Sequence, residues 1–333
     1  MSEATRVDVI ILSWNRVDDT LAALESARDQ VGVDHRIWIV DQGSELTQRE
    51  RLAAAVATIP IAHLTQLERN IGVPAGRNLG ASQGTAPYIV ALDSDAVFAD
   101  ERVLARAVEH MNEGRDLCAI GFAITNYFTH ENDWSSWDYP THNSPDREFY
   151  TTRFVGAGHI IRRSTFEAVG GYDARLMFSG EELDLSYRML NTGQRVKYVP
   201  SLAVLHKVAR ERRVFWENGR YYLSVRNTLY TLYKFNTPLF RVLLALFAFC
   251  VRGLRNNLIK DAIRGVLACI PMCIAFERES NDKSPYNLSR ETWRYIRQCE
   301  PTRDDPWHIK FQRLLVLLPT ESSSPQKLTR PII

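Results

Sequence analysis

Short apolar runs alternate with helical patterns along the first half of the chain. Strands are predicted near 7–13, 36–41, 60–65 and 88–93, and helices near 18–30, 47–57, 75–84 and 101–112. Such alternation of Val- and Ile-rich runs with helix-length segments is typical of βαβ units. The pattern therefore predicts an α/β fold with a mixed, mainly parallel sheet and helices on both faces.

The pattern is less regular after residue 115. Strands are predicted at 116–125, 195–199 and 202–206, and helices near 164–169 and 181–192. An apolar pattern without an assigned element covers 152–162. In between, residues 126–151 are polar, rich in Trp, Tyr and His, and show no clean period. A loop of this length inside a compact domain is usually functional or mobile.

The character of the chain changes after about residue 210. A helical pattern over 213–235 is followed by two apolar stretches, 239–251 and 262–276. Each stretch is shorter than the roughly 20 residues that span a bilayer, and each contains an arginine, Arg241 or Arg264. Two interpretations stay open: helices lying in an anionic membrane interface, or a helical hairpin packed on the main domain or in a homodimer interface.

The predicted organisation has three parts. Residues 1–210 form a catalytic domain, 211–318 a helical region that is a candidate for contact with a membrane surface, and 319–333 a disordered tail.

Composition excludes several classes of protein. The 333 residues include 41 basic and 39 acidic side chains, a formal net charge of +2, which argues against a general nucleic-acid binder. The five cysteines contain no CxxC pair, so a zinc site is not expected and a reducing compartment fits best. No signal-peptide pattern precedes the first strand, and a cytoplasmic location is expected.

Acidic residues follow the apolar runs at several points. Asp41 ends one predicted strand, Asp93 and Asp95 end another, and Glu181 and Glu182 open a predicted helix. Open α/β sheets bind ligands in the crevice at the carboxyl ends of their strands. A divalent cation would explain two acids only two residues apart, since hard cations take oxygen ligands and bridge phosphates. Together these residues indicate transfer chemistry on a nucleoside-diphosphate substrate.

Each of these residues also has a purely structural interpretation. Acids in the first turn of a helix stabilise it through the helix dipole, and Asp184 with Arg188 forms an ordinary i,i+4 pair. A single histidine that ends a strand, such as His206, is more often structural than a ligand. Arg77 lies near the predicted start of a helix, where it could pair with a phosphate or an acid or simply belong to a packed junction.

The order of these pieces resembles that of a known family. The pieces are Ser13 to Arg16, Val40 to Ser44, Asn70 to Gly80, Leu92 to Asp95, Gly156 to Asp173, Glu181 to Arg188, and His206. Together they resemble the inverting family 2 glycosyltransferases with the GT-A fold, especially the bacterial rhamnosyltransferase-like branch that builds surface polysaccharides. The resemblance covers about residues 7–235.

The resemblance implies roles for individual residues. It implies a nucleotide-sugar site formed by Ser13, Asn15, Arg16, Asp41, Asn70, Arg77, Asp93 and Ser94. Asp41 would contact the nucleobase, and Asp95 with His206 would hold Mn²⁺ or Mg²⁺. The family's base is usually the Asp of a Glu-Asp pair; here Glu182 stands in its place, and Glu181 is the other candidate.

The sequence signals for binding of the acceptor are less specific than those for the donor. Its predicted contacts are Trp134, Trp137, Gly158 and Asp184. Aromatic faces pack well on sugar rings, but the loop that carries the tryptophans could equally be anchored by its own aromatic residues. Both interpretations stay open at this point.

The resulting hypothesis is metal-dependent inverting transfer of a hexosyl or deoxyhexosyl group. The donor is a nucleoside-diphosphate sugar, and the acceptor is a glycan or a lipid-linked glycan at the cytoplasmic face of the inner membrane. A nucleotidyltransferase would need a Gly-rich, basic loop after the first strand, where residues 13–16 read SWNR. A non-catalytic sugar-nucleotide binder is the other alternative. The sugar, the nucleobase, the linkage and the oligomeric state are left open.

Overall fold

The computed structural model describes residues 6–140, 142–207, 219–279 and 282–299, which divide into two compact units. The first unit comprises the described residues up to Met177 and from Glu181 to 207; the second comprises Phe178–Gly180 and the described residues from 219 onward. The domain boundary predicted near 210, the first residues of the helix predicted over 213–235, and the predicted tail over 319–333 all lie outside the described residues.

The first unit is built on one nine-stranded sheet. Its strands are β1 (Arg6–Ser13), β2 (Asp34–Asp41), β3 (Ala62–Gln66), β4 (Tyr88–Asp93), β5 (Ala96–Phe98), β6 (Leu117–Asn126), β7 (Phe149–Thr151), β8 (Gly158–Arg162) and β9 (Arg195–His206). The strand order is β3-β2-β1-β4-β8-β6-β9-β5, with β7 also paired to β9.

Parallel pairing holds the four strands of the first half together. β1 lies between β2 and β4, and β2 pairs with β3, all in parallel. β6 and β9 are also parallel, whereas β8 runs antiparallel between β4 and β6. Apolar residues such as Val9, Ile11 and Val90 are fully buried, as expected for strands of a covered parallel sheet. The predicted mixed, mainly parallel α/β sheet is confirmed.

Six helices accompany the sheet in the described part of the first unit. They are α1 (Val17–Arg28), α2 (Leu46–Val56), α3 (Val73–Gln83), α4 (Val103–Glu113), α5 (Arg163–Ala168) and α6 (Glu181–Leu190). α3 begins after Gly72 with Pro74 in its first turn, where a missing N–H costs nothing and the fixed φ suits a helix.

The later strands differ from prediction in detail. The segments predicted at 195–199 and 202–206 form one strand, β9, because a register shift opposite Phe122 and Ala123 lets the strand continue past Pro200. Within the apolar segment 152–162, the strand β8 covers Gly158–Arg162. The long loop after β6 ends in the short strand β7.

The second unit is helical in its described part. Its helices are α7 (Arg220–Lys234), α8 (Leu239–Arg255), α9 (Ile259–Glu279) and α10 (Arg290–Gln298). The two apolar stretches form α8 and α9. Among the described residues, no helix combines the length and the apolar character needed to cross a membrane.

Candidate active site

The parallel strands bring their terminal polar residues to one edge of the sheet. Ser13, the last residue of β1, lies opposite Asp41, the last residue of β2. On the other side of β1, Leu12 lies opposite Asp93, which ends β4. The antiparallel pairing of β5 with β9 sets Ala96 opposite His206, so the Asp93–Asp95 segment and His206 become neighbours.

Asp93, Asp95 and His206 form a group that could hold a metal ion. One ligand atom from each lies within 4.8 Å of the other two, and Nε2 of His206 is 3.3 Å from Oδ1 of Asp95. We call these three residues the Asp-Asp-His group. Carboxylate oxygens with one imidazole nitrogen suit Mn²⁺ and related divalent ions. Burial opposes charging of His206, but its contacts with Asp133 and Asp95 raise its pKa to about 10, so a cation must displace a proton from it.

Arg16 supplies positive charge beside this group. Its Nη1 donates a 2.6 Å hydrogen bond to Oδ2 of Asp95, and its Nε donates to Asp19. Burial of Asp95 works against its ionisation, but His206 and Arg16 hold the pKa of the carboxyl well below its usual range. Since Arg16 is about one-third exposed, it can also face an anionic ligand at this edge.

Arg77 connects the Asp-Asp-His group to α6. Its Nη1 donates to Oε1 of Glu182 at 2.8 Å, and its Nη2 donates to Oδ1 of Asp93 at 3.0 Å and to the carbonyl of Gly156 at 2.9 Å. The guanidinium also lies over the ring of Tyr172, 5.6 Å from its centroid. Because Arg77 is only 3% exposed, these partners fix it in one geometry.

Two glycines allow close packing, one beside Glu182 and one at the start of α3. A Cβ added to Gly156 would lie 2.3 Å from Oε1 of Glu182, and one added to Gly72 would lie 2.6 Å from the carbonyl oxygen of Met177. Gly72 also has φ +88°, which favours glycine. The N–H of Val73 donates to the carbonyl of Met177 at 2.8 Å, so the start of α3 is tied to the chain just before α6.

The two glutamates of α6 occupy different environments. Glu181 is 3% exposed, and its Oε2 accepts no hydrogen bond from the described residues. Burial, with the charge of Glu182 adding to it, raises the pKa of Glu181 to about 8. The side chain of Glu182 is 19% exposed and is paired with Arg77. Glu182 is therefore the more accessible of the two carboxylates.

The loops after β1 and β2 are joined through Asn15, Asp41 and Ser44. Asn15, at φ +52°, donates its N–H to the hydroxyl of Ser44 at 2.8 Å and accepts from the N–H of Glu45 at 2.7 Å. The Asp41 carboxylate is fully buried, and its Oδ1 accepts a short hydrogen bond from the Ser44 hydroxyl. Its Oδ2 accepts no hydrogen bond from the described residues and lies 3.5 Å from Nε of Arg49.

Three other residues predicted to bind nucleotide lie along the same edge. Ser13 is buried with its hydroxyl 3.0 Å from that of Thr20, so its side chain is engaged inside the fold. Asn70 accepts a hydrogen bond from the N–H of Gly72 at 2.8 Å and shapes the turn into α3. Ser94 is half-buried in the turn between Asp93 and Asp95.

Two of the predicted acceptor contacts are buried. Gly158 is buried in β8, where an added Cβ would lie 3.0 Å from Val204 and 3.1 Å from Phe122. Asp184 is fully buried, and its Oδ2 accepts a 2.6 Å hydrogen bond from Nη2 of Arg188. Both lie inside the fold, and their contact with an acceptor stays a prediction.

The two tryptophans differ from each other. Trp137 packs edge-on against Tyr139 and Tyr198, with ring centroids 4.9 and 5.6 Å away, so it anchors the loop. Trp134 is 49% exposed and keeps a face that an acceptor could contact.

Sequence reasoning missed three residues around the site. Oδ2 of Asp133 lies 3.6 Å from Nδ1 of His206, and the hydroxyl of Tyr172 lies 2.8 Å from Nε2 of His159 beneath Arg77. Burial lowers the pKa of His159 far below its ordinary value, so it is neutral. No periodic signal marks Asp133, because it lies in the irregular loop after β6.

The fold of this protein is of the GT-A type, as a comparison with a solved structure shows. A mannosyltransferase from Pyrobaculum calidifontis, solved in complex with GDP-Man and Mn²⁺, aligns with a TM-score of 0.55 at 14% identity over 89% of this chain and 84% of its own. Residues 8–170 match the model of the family described as "Glycosyl transferase family 2". These residues therefore form a glycosyl transferase family 2 domain.

Curated relatives include other glycosyltransferases. The pre-mycofactocin glycosyltransferase of Mycobacterium tuberculosis is 27% identical over 214 residues, which cover 58% of this chain and 43% of the relative. The succinoglycan biosynthesis protein ExoO of Rhizobium meliloti is 33% identical over 122 residues, covering 36% of this chain and 32% of the relative. The chain thus matches less than half of the length of either relative.

Proposed function

We propose that this protein is a metal-dependent inverting glycosyltransferase. It moves a hexosyl or deoxyhexosyl group from a nucleoside-diphosphate sugar to a hydroxyl of a glycan or lipid-linked acceptor during synthesis of a surface polysaccharide. The observation that carries this proposal is the double contact of Arg77, which bonds Asp93 of the Asp-Asp-His group and Glu182 of α6 at the same time. The similarity to ExoO supports the polysaccharide role.

The Asp-Asp-His group is where the cation belongs. Asp93, Asp95 and His206 would hold Mn²⁺ or Mg²⁺, and the similar mannosyltransferase structure contains Mn²⁺. When bound, such an ion neutralises charge that develops on the departing diphosphate. Arg16, which bonds Asp95, adds a cationic side chain at the same place.

Glu182 is the proposed general base. Its carboxylate removes the proton from the acceptor hydroxyl, whose oxygen attacks the anomeric carbon. As the new glycosidic bond forms, the bond from that carbon to the diphosphate oxygen breaks on the opposite face, which inverts the configuration. Arg77 holds the carboxylate in place by a 2.8 Å hydrogen bond, and positioned bases of this kind contribute typically 10²–10⁴-fold.

The nucleotide is proposed to bind at the loops after β1 and β2. Asn15 and Asp41 lie there, and the second oxygen of Asp41 accepts no hydrogen bond from the described residues. An N–H donor is what such a buried acceptor requires, and a nucleobase edge carries one.

The second unit carries an apolar surface that fits a lipid-linked acceptor. On α8, Phe240, Leu243, Phe247 and Leu254 are between 56% and 66% exposed and recur at the spacing of one helix face. On α9, Ile263, Leu267, Ile270 and Ile274 do the same, with exposures of 47% to 60%. Apolar patches of this extent mark interaction surfaces.

We propose an anionic membrane surface as the partner of these two faces. From Leu239 to Phe276 the chain has five basic residues, namely Arg241, Arg252, Arg255, Lys260 and Arg264, and one acid, Asp261. This charge balance complements anionic lipids, whereas a self-associating face gains nothing from it. The protein would then act as a peripheral enzyme on the cytoplasmic side of the inner membrane, and a homodimer through this face is the competing outcome.

The central experiment incubates the purified protein with Mn²⁺ and a panel of nucleotide sugars. One donor class should raise the melting temperature and, with an acceptor glycan, release nucleoside diphosphate and yield a product of inverted anomeric configuration by NMR. Asp95→Asn is the control and should lose the metal-dependent release.

Other outcomes would support different functions. Release of pyrophosphate from a nucleoside triphosphate and a sugar phosphate would indicate a nucleotidyltransferase. A melting-temperature shift with no turnover across the panel of acceptors would indicate a binding protein. A product of retained configuration would contradict the single displacement.

A further inference from the structure

The segment that contains Asp133 is fixed to the end of β6. The N–H of Asp133 donates to the carbonyl of Ile124 at 2.8 Å, and Asn132 forms an isolated β-bridge with Thr125. Asp133 is only 3% exposed although it belongs to a loop. A carboxylate held inside the protein in this way needs compensating partners.

The carboxylate of Asp133 has partners on two sides. Its Oδ1 accepts hydrogen bonds from the N–H of Ser135 at 3.0 Å and from the Ser135 hydroxyl at 2.5 Å, and its Oδ2 accepts from the Ser136 hydroxyl at 2.8 Å. Oδ2 also lies 3.6 Å from Nδ1 of His206. The serines explain the shape of the turn, but the contact with His206 serves no purpose in the turn.

His206 therefore lies between two carboxylates. Its Nε2 is 3.3 Å from Asp95 within the Asp-Asp-His group, and its Nδ1 faces Asp133 outside that group. A histidine that ligates a metal commonly gives its other ring N–H to a carboxylate, which fixes the tautomer and the orientation of the ring.

We propose that Asp133 is a positioning residue for the metal site, which holds His206 with Nε2 directed at the cation. Asp133 is not a ligand, because the proposed ligand oxygens come from Asp93 and Asp95. The inference rests on the proposed metal-binding function of the Asp-Asp-His group. It adds a fourth residue to the site, contributed by the same loop that presents Trp134.

The test measures Mn²⁺ binding directly, by the electron paramagnetic resonance signal of free Mn²⁺ titrated with full-length protein. Asp133→Asn keeps an oxygen for the serines but removes the charge, and it should weaken Mn²⁺ binding by about 10- to 100-fold. Asp133→Ser, a second variant without the charge, should weaken it likewise. Asp138→Asn is the matched control, because Asp138 is in the same loop but is exposed and pairs with Arg153; it should bind like the wild type.

A purely structural role for Asp133 predicts a different pattern. The double variant Ser135→Ala/Ser136→Ala removes the hydroxyl contacts and leaves the Asp133–His206 contact, so its Mn²⁺ affinity should stay within about two- to threefold of wild type. If Ser135→Ala/Ser136→Ala loses as much Mn²⁺ affinity as Asp133→Asn, the fold of the loop determines the affinity, and the inference is overturned. In a His206→Ala background, Asp133→Asn should not weaken Mn²⁺ binding further, because the effects of substitutions at interacting residues are not additive.

The failure of this inference is distinguishable from failure of the proposed function. Wild-type protein that does not bind Mn²⁺ would overturn the metal site and this inference together. Wild-type binding with Asp133→Asn equal to Asp138→Asn would overturn the role of Asp133 alone. Melting temperatures measured without metal confirm that each variant is folded at the temperature of the titration.

Discussion

Arg77 on α3 donates a 2.8 Å hydrogen bond to the carboxylate of Glu182 on α6, which lies 105 residues later in the chain. Arg77 is almost completely buried, while the side chain of Glu182 remains 19% exposed. A guanidinium fixed by several partners gives a carboxylate a defined direction and stabilises its ionised form. In the proposed mechanism, this contact orients Glu182 next to the Asp-Asp-His group.

The first prediction separates the two glutamates. Glu182→Gln should lower kcat by about 10²- to 10⁴-fold with little change in donor affinity, because the amide keeps the shape but cannot take a proton. Glu181→Gln should retain most of the turnover, since Glu181 is buried and protonated near neutral pH. Steady-state kinetics of both variants measure this, and donor binding by calorimetry is the control. Full turnover in Glu182→Gln would remove it as the base.

The second prediction concerns Gly156. Gly156→Ala places a methyl group 2.3 Å from the position of Oε1 of Glu182, so the carboxylate must move. A displacement of about 1 Å in a catalytic group can cost about 10²-fold, and a loss of that order in kcat is expected. The melting temperature should change little, because the group that moves is the end of a partly exposed side chain. A large loss of stability with normal turnover per folded molecule would contradict this account.

The third prediction is a pH dependence of stability. Burial raises the folded-state pKa of Glu181 to about 8, whereas a glutamate in an unfolded chain has a pKa of about 4.3. Between these two values the unfolded chain binds fewer protons, so rising pH destabilises the folded protein, and the effect is complete above the folded pKa. The free energy of unfolding of Glu181→Gln, relative to that of the wild type, should therefore increase from about pH 5 to 8. Above that range the difference should stay constant. Urea titrations at several pH values measure this gain; a difference that does not change with pH would refute the shifted pKa.

The fourth prediction concerns stability far from the site. Asp8, at the beginning of β1, accepts 2.8 Å hydrogen bonds from Trp38, Arg163 and the N–H of Ala86. Asp8→Ala removes the buried carboxylate that pairs with the buried Arg163 and should cost about 3–5 kcal/mol in the free energy of unfolding.

The matched control for Asp8→Ala is Asp18→Ala. Asp18 pairs with Arg51 on the surface, where both side chains are more than half exposed, so its removal should cost at most about 1 kcal/mol. Urea unfolding followed by circular dichroism compares the two variants. Equal costs would show that the buried pair contributes no more than the exposed one.

The fifth prediction tests the apolar faces of α8 and α9. Phe247→Glu should reduce flotation with vesicles of anionic phosphatidylglycerol by about 10-fold or more, because each buried Leu or Phe contributes about 1.5–3 kcal/mol. Gln298→Glu adds the same charge at an exposed position of α10 and should float like the wild type. If the wild-type protein does not bind vesicles but forms a dimer that Phe247→Glu dissociates, the apolar faces of α8 and α9 form a dimer contact instead.

Much of the fold follows from local pattern. The apolar runs ending at Ser13, Asp41 and Asp93 predict β1, β2 and β4, because residues buried on both faces of a parallel sheet are almost all apolar. The structure confirms these strands and their parallel pairing. The extent of β9 was not predictable, because Pro200 and the shift in register interrupt its pattern without ending the strand.

The candidate site was predictable in part. The acids at strand ends and the order of the pieces indicated Asp93, Asp95, His206, Arg77 and Glu182. The structure groups the first three, and Arg77 links Asp93 of this group to Glu182. Gly158 and Asp184 fit the same order, yet they are buried. Position along the chain indicates which strand or helix a residue belongs to, but not whether the residue is buried.

The sequence by itself determined the alternation of strands and helices, the edge of the sheet where the carboxylates gather, and the resemblance to a glycosyltransferase family. These depend on periodicity and spacing, which are local properties. Only the tertiary structure decided that Arg77 joins Asp93 to Glu182, that Glu181 is the buried glutamate, and that Asp133 faces His206. Such contacts join residues that are distant in sequence, and their chemistry is set by burial and by neighbouring charges that exist only once the chain is folded.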